Sequence, residues 1–272
     1  AENNYLEPVI GVSFDGTGYG GDGTIWGGEV LLADVHGYSR FASVAPFHHV
    51  GGDAASREGW RIAVSLLYDN TGRNKEQTAA LAEKLRLCSQ EELQAQFFLA
   101  DNGVNTVVST SAGRLFDGLS AALGLCRQST FEGQGAMALQ FAAEAWEQTH
   151  GEEAVVPGPL ERLSDRYVLA TQRVFDGCVQ SYVKHGDAGR EAYAFHRGLA
   201  GMVLAAARQA REETGRNAVA LSGGVFQNTL LLRLCCRALE RDGFTVLRHR
   251  LVPPNDGGLA LGQALYGMYH LQ

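Results

Sequence analysis

Three short stretches of this chain carry residue types that could handle a charged ligand. The first is Asp15-Gly16-Thr17-Gly18, at the end of an apolar run. A carboxylate there would be presented at a strand terminus, beside amides that Gly16 and Gly18 free to approach phosphate oxygens. Asp15 could hold or orient a divalent metal, or it could simply belong to an Asp-Gly hairpin turn. The second stretch is Ser222-Gly223-Gly224, shortly before a helical pattern that opens at Asn228. Free amides and the helix dipole favour an anion at such a terminus. Asn228 is either a reader of ribose or base edges or a plain N-cap. The third is Asn255-Asp256-Gly257-Gly258. Asp256 either caps the helix that follows or supplies the second carboxylate that a metal shared between two loops would require.

These loops need elements to position them. Pro8–Asp15 contains Val9, Ile10, Val12 and Phe14, the short β-branched run of a buried strand, and is expected to stop at the glycine cluster that begins at Gly16. Thr24–Leu32 and Tyr38–Ala45 follow as strands, so residues 1–50 read as a three-strand meander. Residues 51–216 read as mainly helical. Within them, Lys75–Leu87 is rich in good helix formers, and Ser89 and Glu92 form a capping-box pattern for a helix ending near Gly103. A short strand is expected at Thr106–Ser109. Further helices are expected over Gly113–Leu123, Gly133–Gln148, Ser164–Lys184 and Ala188–Glu213, with a surface connection over His150–Leu160. Leu115, Leu119, Ala122 and Leu123 make the apolar stripe of the first of these, and Asp117 falls off it. Residues 217–272 read as strand (Ala218–Leu221), helix (Asn228–Arg241), strand (Phe244–Leu247) and helix (Leu259–Met268). Antiparallel strands followed by alternating helices and strands predict an α/β (α+β mixed) fold, a mixed sheet flanked by helices. That order matches the ribonuclease-H-like half of actin–sugar-kinase-like ATP-binding folds.

Composition narrows the function classes. The 34 glycines are far above the usual ~7% share, and they cluster beside acidic or amide residues, as loops that admit a ligand would. The net charge of −7 offers no general attraction to nucleic acid or anionic membrane. No apolar run reaches the roughly 20 residues of a membrane span, and the first residues lack a signal-peptide pattern, so a cytoplasmic protein is expected. None of the five cysteines sits in a C-x-x-C pair, which argues against a zinc knuckle or redox site, and Cys235-Cys236 read as core thiols. His48 and His49 are adjacent, so on a strand they face opposite ways and cannot grip one metal together. His196 reads as a helix-packing histidine. Nucleophile-elbow, P-loop and dinucleotide fingerprints do not occur in the sequence.

Taken in order, five stretches resemble the C-terminal, TsaD-like domain of the HypF carbamoyltransferases, which mature [NiFe]-hydrogenases. They are Ile10–Glu29 (IGVSFDGTGYGGDGTIWGGE), Thr110–Leu125 (TSAGRLFDGLSAALGL), Phe131–Ala138 (FEGQGAMA), Leu221–Thr229 (LSGGVFQNT) and Pro253–Gln263 (PPNDGGLALGQ). The resemblance spans nearly the whole chain. It implies ATP or carbamoyl-adenylate as substrate and a divalent metal, Zn²⁺ or Fe²⁺, with Mg²⁺ accompanying nucleotide. It implies transfer of a carbamoyl group to the C-terminal cysteine of HypE. Asp15 and Asp256 align with metal-holding carboxylates. Asp117, Gly133, Gly223, Gly224 and Asn228, with Gly16 and Gly18, align with positions that bind the adenylate. The family's H-x-x-x-H metal motif is missing from this sequence, as are the upstream acylphosphatase-like, zinc-finger and adenylate-forming domains. The chain is therefore expected to lack the N-terminal half of the domain and to turn over little alone. An uncovered face is expected to favour self-association. The alternatives are a small-molecule O-carbamoyltransferase and a non-catalytic nucleotide-binding module.

Overall fold

The computed structural model describes residues 1–270. Strands β1 (Val9–Tyr19), β2 (Ile25–Asp34) and β3 (Gly37–Val44) form the expected antiparallel meander. The first strand does not stop at Asp15. It continues to Tyr19 through an irregularity between Phe14 and Gly18, while Gly18 and Tyr19 pair with Trp26 and Ile25. A bulge lets the chain bow out of register and then resume pairing, so the Asp-Gly turn is not needed there. The reversal falls instead at 20–24, where the Gly20 amide donates to the Thr24 carbonyl and Asp22 accepts from the Thr24 hydroxyl.

Two elements early in the chain lie outside the sequence expectations. Strand β4 (Phe47–Val50) follows the meander directly, and α1 (Gly59–Asn70) comes next. Nine of the twelve α1 residues are buried, so the helix shows no polar face by which a period could be read. Helix α2 (Lys75–Lys84) and α3 (Gln90–Asn102) stand where expected. Ser89 and Glu92 make the reciprocal capping box, and Gly103 closes α3 in the left-handed region. Strand β5 (Thr106–Ser109), α4 (Ala112–Ala122) and α5 (Gln134–His150) also agree.

The expected helix from Ser164 starts only at Thr171. Before it, β6 (Leu160–Arg162) and β7 (Tyr167–Leu169) form a hairpin, and β7 joins the meander in parallel against Ala42–Val44. That long-range pairing overrides the local pattern. Helices α6 (Thr171–His185) and α7 (Ala188–Thr214), strand β8 (Ala218–Ser222), α8 (Thr229–Arg241), β9 (Thr245–Arg248) and α9 (Leu259–His270) complete the chain.

The main sheet runs β6-β7-β3-β2-β1-β8-β9. Its centre, β3-β2-β1-β8-β9, has an antiparallel meander joined in parallel at β1 to two later strands, which is the ribonuclease-H-like arrangement. One hydrophobic core connects the sheet to the helices, with Ile10, Val12, Phe14, Leu231 and Leu234 nearly inaccessible to solvent. Cys235 and Cys236 are buried as expected, and burial raises both thiols, leaving them poor nucleophiles. His48 and His49 do face opposite ways on β4: the His48 ring meets Asp69 at 2.9 Å, while His49 is buried. No described helix is long and apolar enough to cross a membrane.

Candidate functional site

The site begins where β8 ends beside the point at which β1 enters its bulge. Their parallel register runs from Ile10–Val219 to Ser13–Ser222, so their pairing stops at one edge of the sheet. This is where open α/β sheets bind ligands. Phe14 stacks on Phe226 at 5.6 Å, pinning the 3-10 turn that follows Gly223 against β1 at its bulge. Gly223 adopts φ 99 and ψ 154, and its amide donates to the Pro254 carbonyl at 2.9 Å. The loop before α9 is thereby tied to the Ser222-Gly223-Gly224 turn. A methyl group added at Gly224 would lie 3.1 Å from Asp15 Oδ1 and 3.7 Å from Asn255 Cβ. Three stretches from distant parts of the chain thus meet around Asp15, as a ligand shared among them would require.

A second set of contacts joins this centre to α4. Ser111 caps that helix by accepting the Arg114 amide, and its hydroxyl donates to the Gly16 carbonyl at 2.5 Å. Gly113 lets α4 approach the bulge: a methyl there would lie 2.9 Å from Gly16 Cα. Arg114 reaches Asp117 at 3.1 Å and donates to the Ser56 carbonyl at 2.8 Å. Asp117 is buried although it lies off the apolar stripe, because α5 covers it; a methyl at Gly135 would lie 2.8 Å from its Oδ1. Burial pushes the Asp117 carboxyl up to about 6, against the downward pull of the Arg114 guanidinium.

The remaining predicted residues separate into groups. Gly16 sits inside the cluster, with its amide donating to Asp15 Oδ1 at 2.8 Å. Gly18 is paired opposite Trp26, beyond the bulge. Gly133 is the left-handed N-cap of α5, two residues before Asp117's neighbour Gly135. Asn228 is the N-cap of α8, accepting the Leu231 amide at 2.9 Å. Asp256 does not cap its helix. Asn255 does so for the single turn that precedes α9, accepting the Gly257 amide at 3.1 Å, while Asp256 is exposed.

The metal expectation meets a specific difficulty. Among the described residues, no group of three or more His, Cys, Asp or Glu side chains stands where one ion could be held. Asp15 and Asp256 alone do not fit a Zn²⁺ or Fe²⁺ centre, which needs more donors and favours nitrogen among them.

Sequence reasoning missed several participants. Arg114 brings a positive charge within reach of Gly16 and Asp117, and its Nε is buried without a partner. The residues Gly113, Arg114 and Asp117 occupy one helical turn, a spacing that was available to find it. Behind the β1–β2 turn, buried Glu29 accepts from Arg40 Nε at 2.6 Å and from the Thr110 hydroxyl at 2.5 Å, and Arg40 lies 4.0 Å over the Trp26 ring. This network braces the residue that precedes the Ser111 cap. His196 belongs to the group as well, through its contact with Asn228.

Fold and site together define a Kae1-like carbamoyltransferase domain. Residues 11–263 match the family described as "Carbamoyltransferase, Kae1-like Domain, second subdomain". The chain is 38% identical over 270 residues to carbamoyltransferase HypF of Rhodobacter capsulatus, covering 97% of this chain and 33% of that protein. It is 28% identical over 264 residues to a probable carbamoyltransferase HypF of Methanocaldococcus jannaschii, covering 97% and 33%. Among solved structures, full-length HypF in a phosphate- and nucleotide-bound form superposes over 100% of this chain and 41% of that one, with TM-score 0.88 and 33% identity. The HypF of T. kodakarensis gives 0.83 and 26%, over 100% and 35%. The chain belongs to the HypF carbamoyltransferase family, and it spans about a third of the length of these curated relatives.

Proposed function

We propose that this chain holds a carbamoyl-adenylate, or the ATP from which it is made, for carbamoyl transfer during [NiFe]-hydrogenase maturation. The observation that carries the reading is the meeting of the Asp15-Gly16 bulge, the Gly223-Gly224 turn and the Pro254–Asn255 loop within van der Waals reach. The Gly16 and Gly223 amides are engaged within the cluster, so what these glycines contribute is close approach of the backbone to a ligand, with helix-start amides as the donors to phosphate oxygens. The likeness to a HypF solved with phosphate and nucleotide supports the same reading.

In this proposal Gly16, Gly18, Gly223 and Gly224 surround the phosphate, and Asp117, Gly133 and Asn228 lie toward the nucleoside. The acceptor is the C-terminal cysteine thiolate of HypE, which attacks the carbamoyl carbon. A C–S bond forms, the bond from that carbon to the phosphate oxygen breaks, and AMP leaves with the electron pair. Held donors and fixed geometry are what the protein contributes. A divalent ion, Zn²⁺, Fe²⁺ or nucleotide-borne Mg²⁺, would take Asp15 and Asp256 as two ligands and draw the rest from outside these residues. The proposed compartment is the cytoplasm.

Isothermal titration with ATP and ADP, with and without Zn²⁺ or Fe²⁺, tests the proposal. Saturable binding is expected, with loss on Asp117→Ala or Asn228→Ala while circular dichroism shows the variants still folded. Titrations that give no heat with either nucleotide in any metal condition would sink it. Zn²⁺ alone should bind far more weakly than the ~10–16 kcal/mol of structural zinc sites.

Self-association is proposed on separate grounds. Helix α9 has no buried residue, and Leu259, Leu261, Tyr266, Met268 and Tyr269 are exposed. Apolar surface of this kind favours a partner. Sedimentation coefficients are expected to rise with concentration, and a strictly monomeric profile at high concentration would count against the idea.

A further inference from the structure

His196 and Asn228 are 32 residues apart in sequence, both are buried, and their side chains meet at 2.9 Å. A backbone N–H can only donate, so the side-chain atom of Asn228 that lies 2.9 Å from the Leu231 amide must be the oxygen. The nitrogen end of the same side chain therefore faces His196, whose Nε2 is 2.9 Å away. An amide nitrogen can only donate, so Nε2 must be the unprotonated, accepting nitrogen of the ring. The ring proton then sits on Nδ1, where the Ala192 carbonyl accepts it at 2.7 Å. Both ring nitrogens and the amide oxygen are satisfied in one arrangement, and a flipped amide would set donor against donor at Leu231.

The surroundings keep that arrangement rigid. His196 has no solvent exposure, and its ring packs edge-on to Phe116 at 5.2 Å and to Phe195 at 6.3 Å. Phe116 is the neighbour of Asp117, so the same packing links both ends of the proposed nucleoside site. Burial lowers His196 to about 4, which keeps the ring neutral and able to accept.

We infer that His196 is a positioning residue, holding the Asn228 amide in one orientation so that its remaining Nδ2 hydrogen is presented to the nucleotide. The inference rests on the adenylate reading above. The helix cap uses the Asn228 oxygen; the histidine accepts one of the two Nδ2 hydrogens, holding the amide plane and leaving the other hydrogen to point away from the ring.

The test compares the parent chain with His196→Phe and His196→Gln. Phenylalanine keeps a ring of similar size and removes the acceptor. Glutamine can return an acceptor oxygen near the place of Nε2. ADP titration is expected to show affinity lost at least about tenfold in His196→Phe, the equivalent of one hydrogen bond, and recovered to within about threefold of the parent in His196→Gln. Nitrogen-15 NMR of the parent should show the Nδ1–H tautomer. A purely structural role would lower the melting temperature and leave ADP affinity of the folded variants unchanged, and that result would overturn the inference alone. A ring protonated at Nε2 would do the same, and this measurement needs no variant to fold. No ADP binding by the parent would overturn the adenylate reading and the inference with it.

Discussion

Asp117→Asn is expected to make the folded chain lose about 3 kcal/mol more stability than the parent loses as pH falls from 6.5 to 4. The reason is a pair of opposed linkages. Asp117 has its folded value raised from 3.8 to about 6, so the folded state holds a proton that the unfolded chain has released. Its stabilising contribution is complete below 3.8 and is lost as pH rises through 6. His196 is lowered from 6.5 to about 4, so the unfolded chain binds a proton that the folded state refuses. Its contribution is present above 6.5 and is lost as pH falls through 4. Each shift exceeds two pH units, or about 3 kcal/mol, and the windows nearly coincide. In the parent they offset. Removing the carboxyl exposes the histidine's slope, and His196→Gln should expose the opposite one, with stability rising as pH falls. Urea unfolding at several pH values, read as variant-minus-parent differences, cancels the exposed carboxylates. Parallel curves for parent and both variants would show that neither group is held at a shifted value.

Gly223→Ala is expected to cost about 2–6 kcal/mol, a large share of the roughly 5–15 kcal/mol by which domains are stable. Two causes add. The backbone at φ 99 and ψ 154 lies in a region that only glycine occupies readily, worth about 1–3 kcal/mol for any other residue. A methyl group there would also overlap the Phe14 backbone, with its nitrogen only 2.8 Å away. Relief would push β1 from β8, a distortion costing a further 1–3 kcal/mol or so. The variant should express poorly or melt far below the parent. Gly177→Ala is the control: it lies within α6 with nothing in 4 Å of the added methyl, so it should gain up to about 1 kcal/mol. A Gly223→Ala chain as stable as the parent would mean that the turn relaxes freely and is not a fixed cradle.

Much of this architecture was legible in the chain because it depends on neighbours in sequence. The Ser89–Glu92 capping box, the Gly103 stop and the strand at Thr106–Ser109 are local, and they stand where residue type placed them. The three glycine-rich stretches were recognisable as loops, since clustered glycine beside Asp or Asn leaves little else to form. Their kinship with the HypF family was legible in the same motifs.

Position in space was a different matter. Strand β1 runs past Asp15 because β2 offers pairing partners beyond the bulge, which no local signal at Asp-Gly announces. Residues 160–169 are a hairpin because β3 presents a free edge to β7. Helix α1 is buried on nearly every side, and burial erases the period by which helices are read.

The site divides along the same line. Residue types alone marked Asp15, Gly223, Gly224 and Asp256, because only certain side chains and glycine can meet a phosphate or a cation. That Arg114 also reaches the Ser56 carbonyl, that α5 covers Asp117, and that His196 sets the face of Asn228 were decided by tertiary structure. A hydrogen bond needs its partner within about 3 Å. Sequence supplies the donors and acceptors, and folding alone brings residues 32 or more positions apart to that distance.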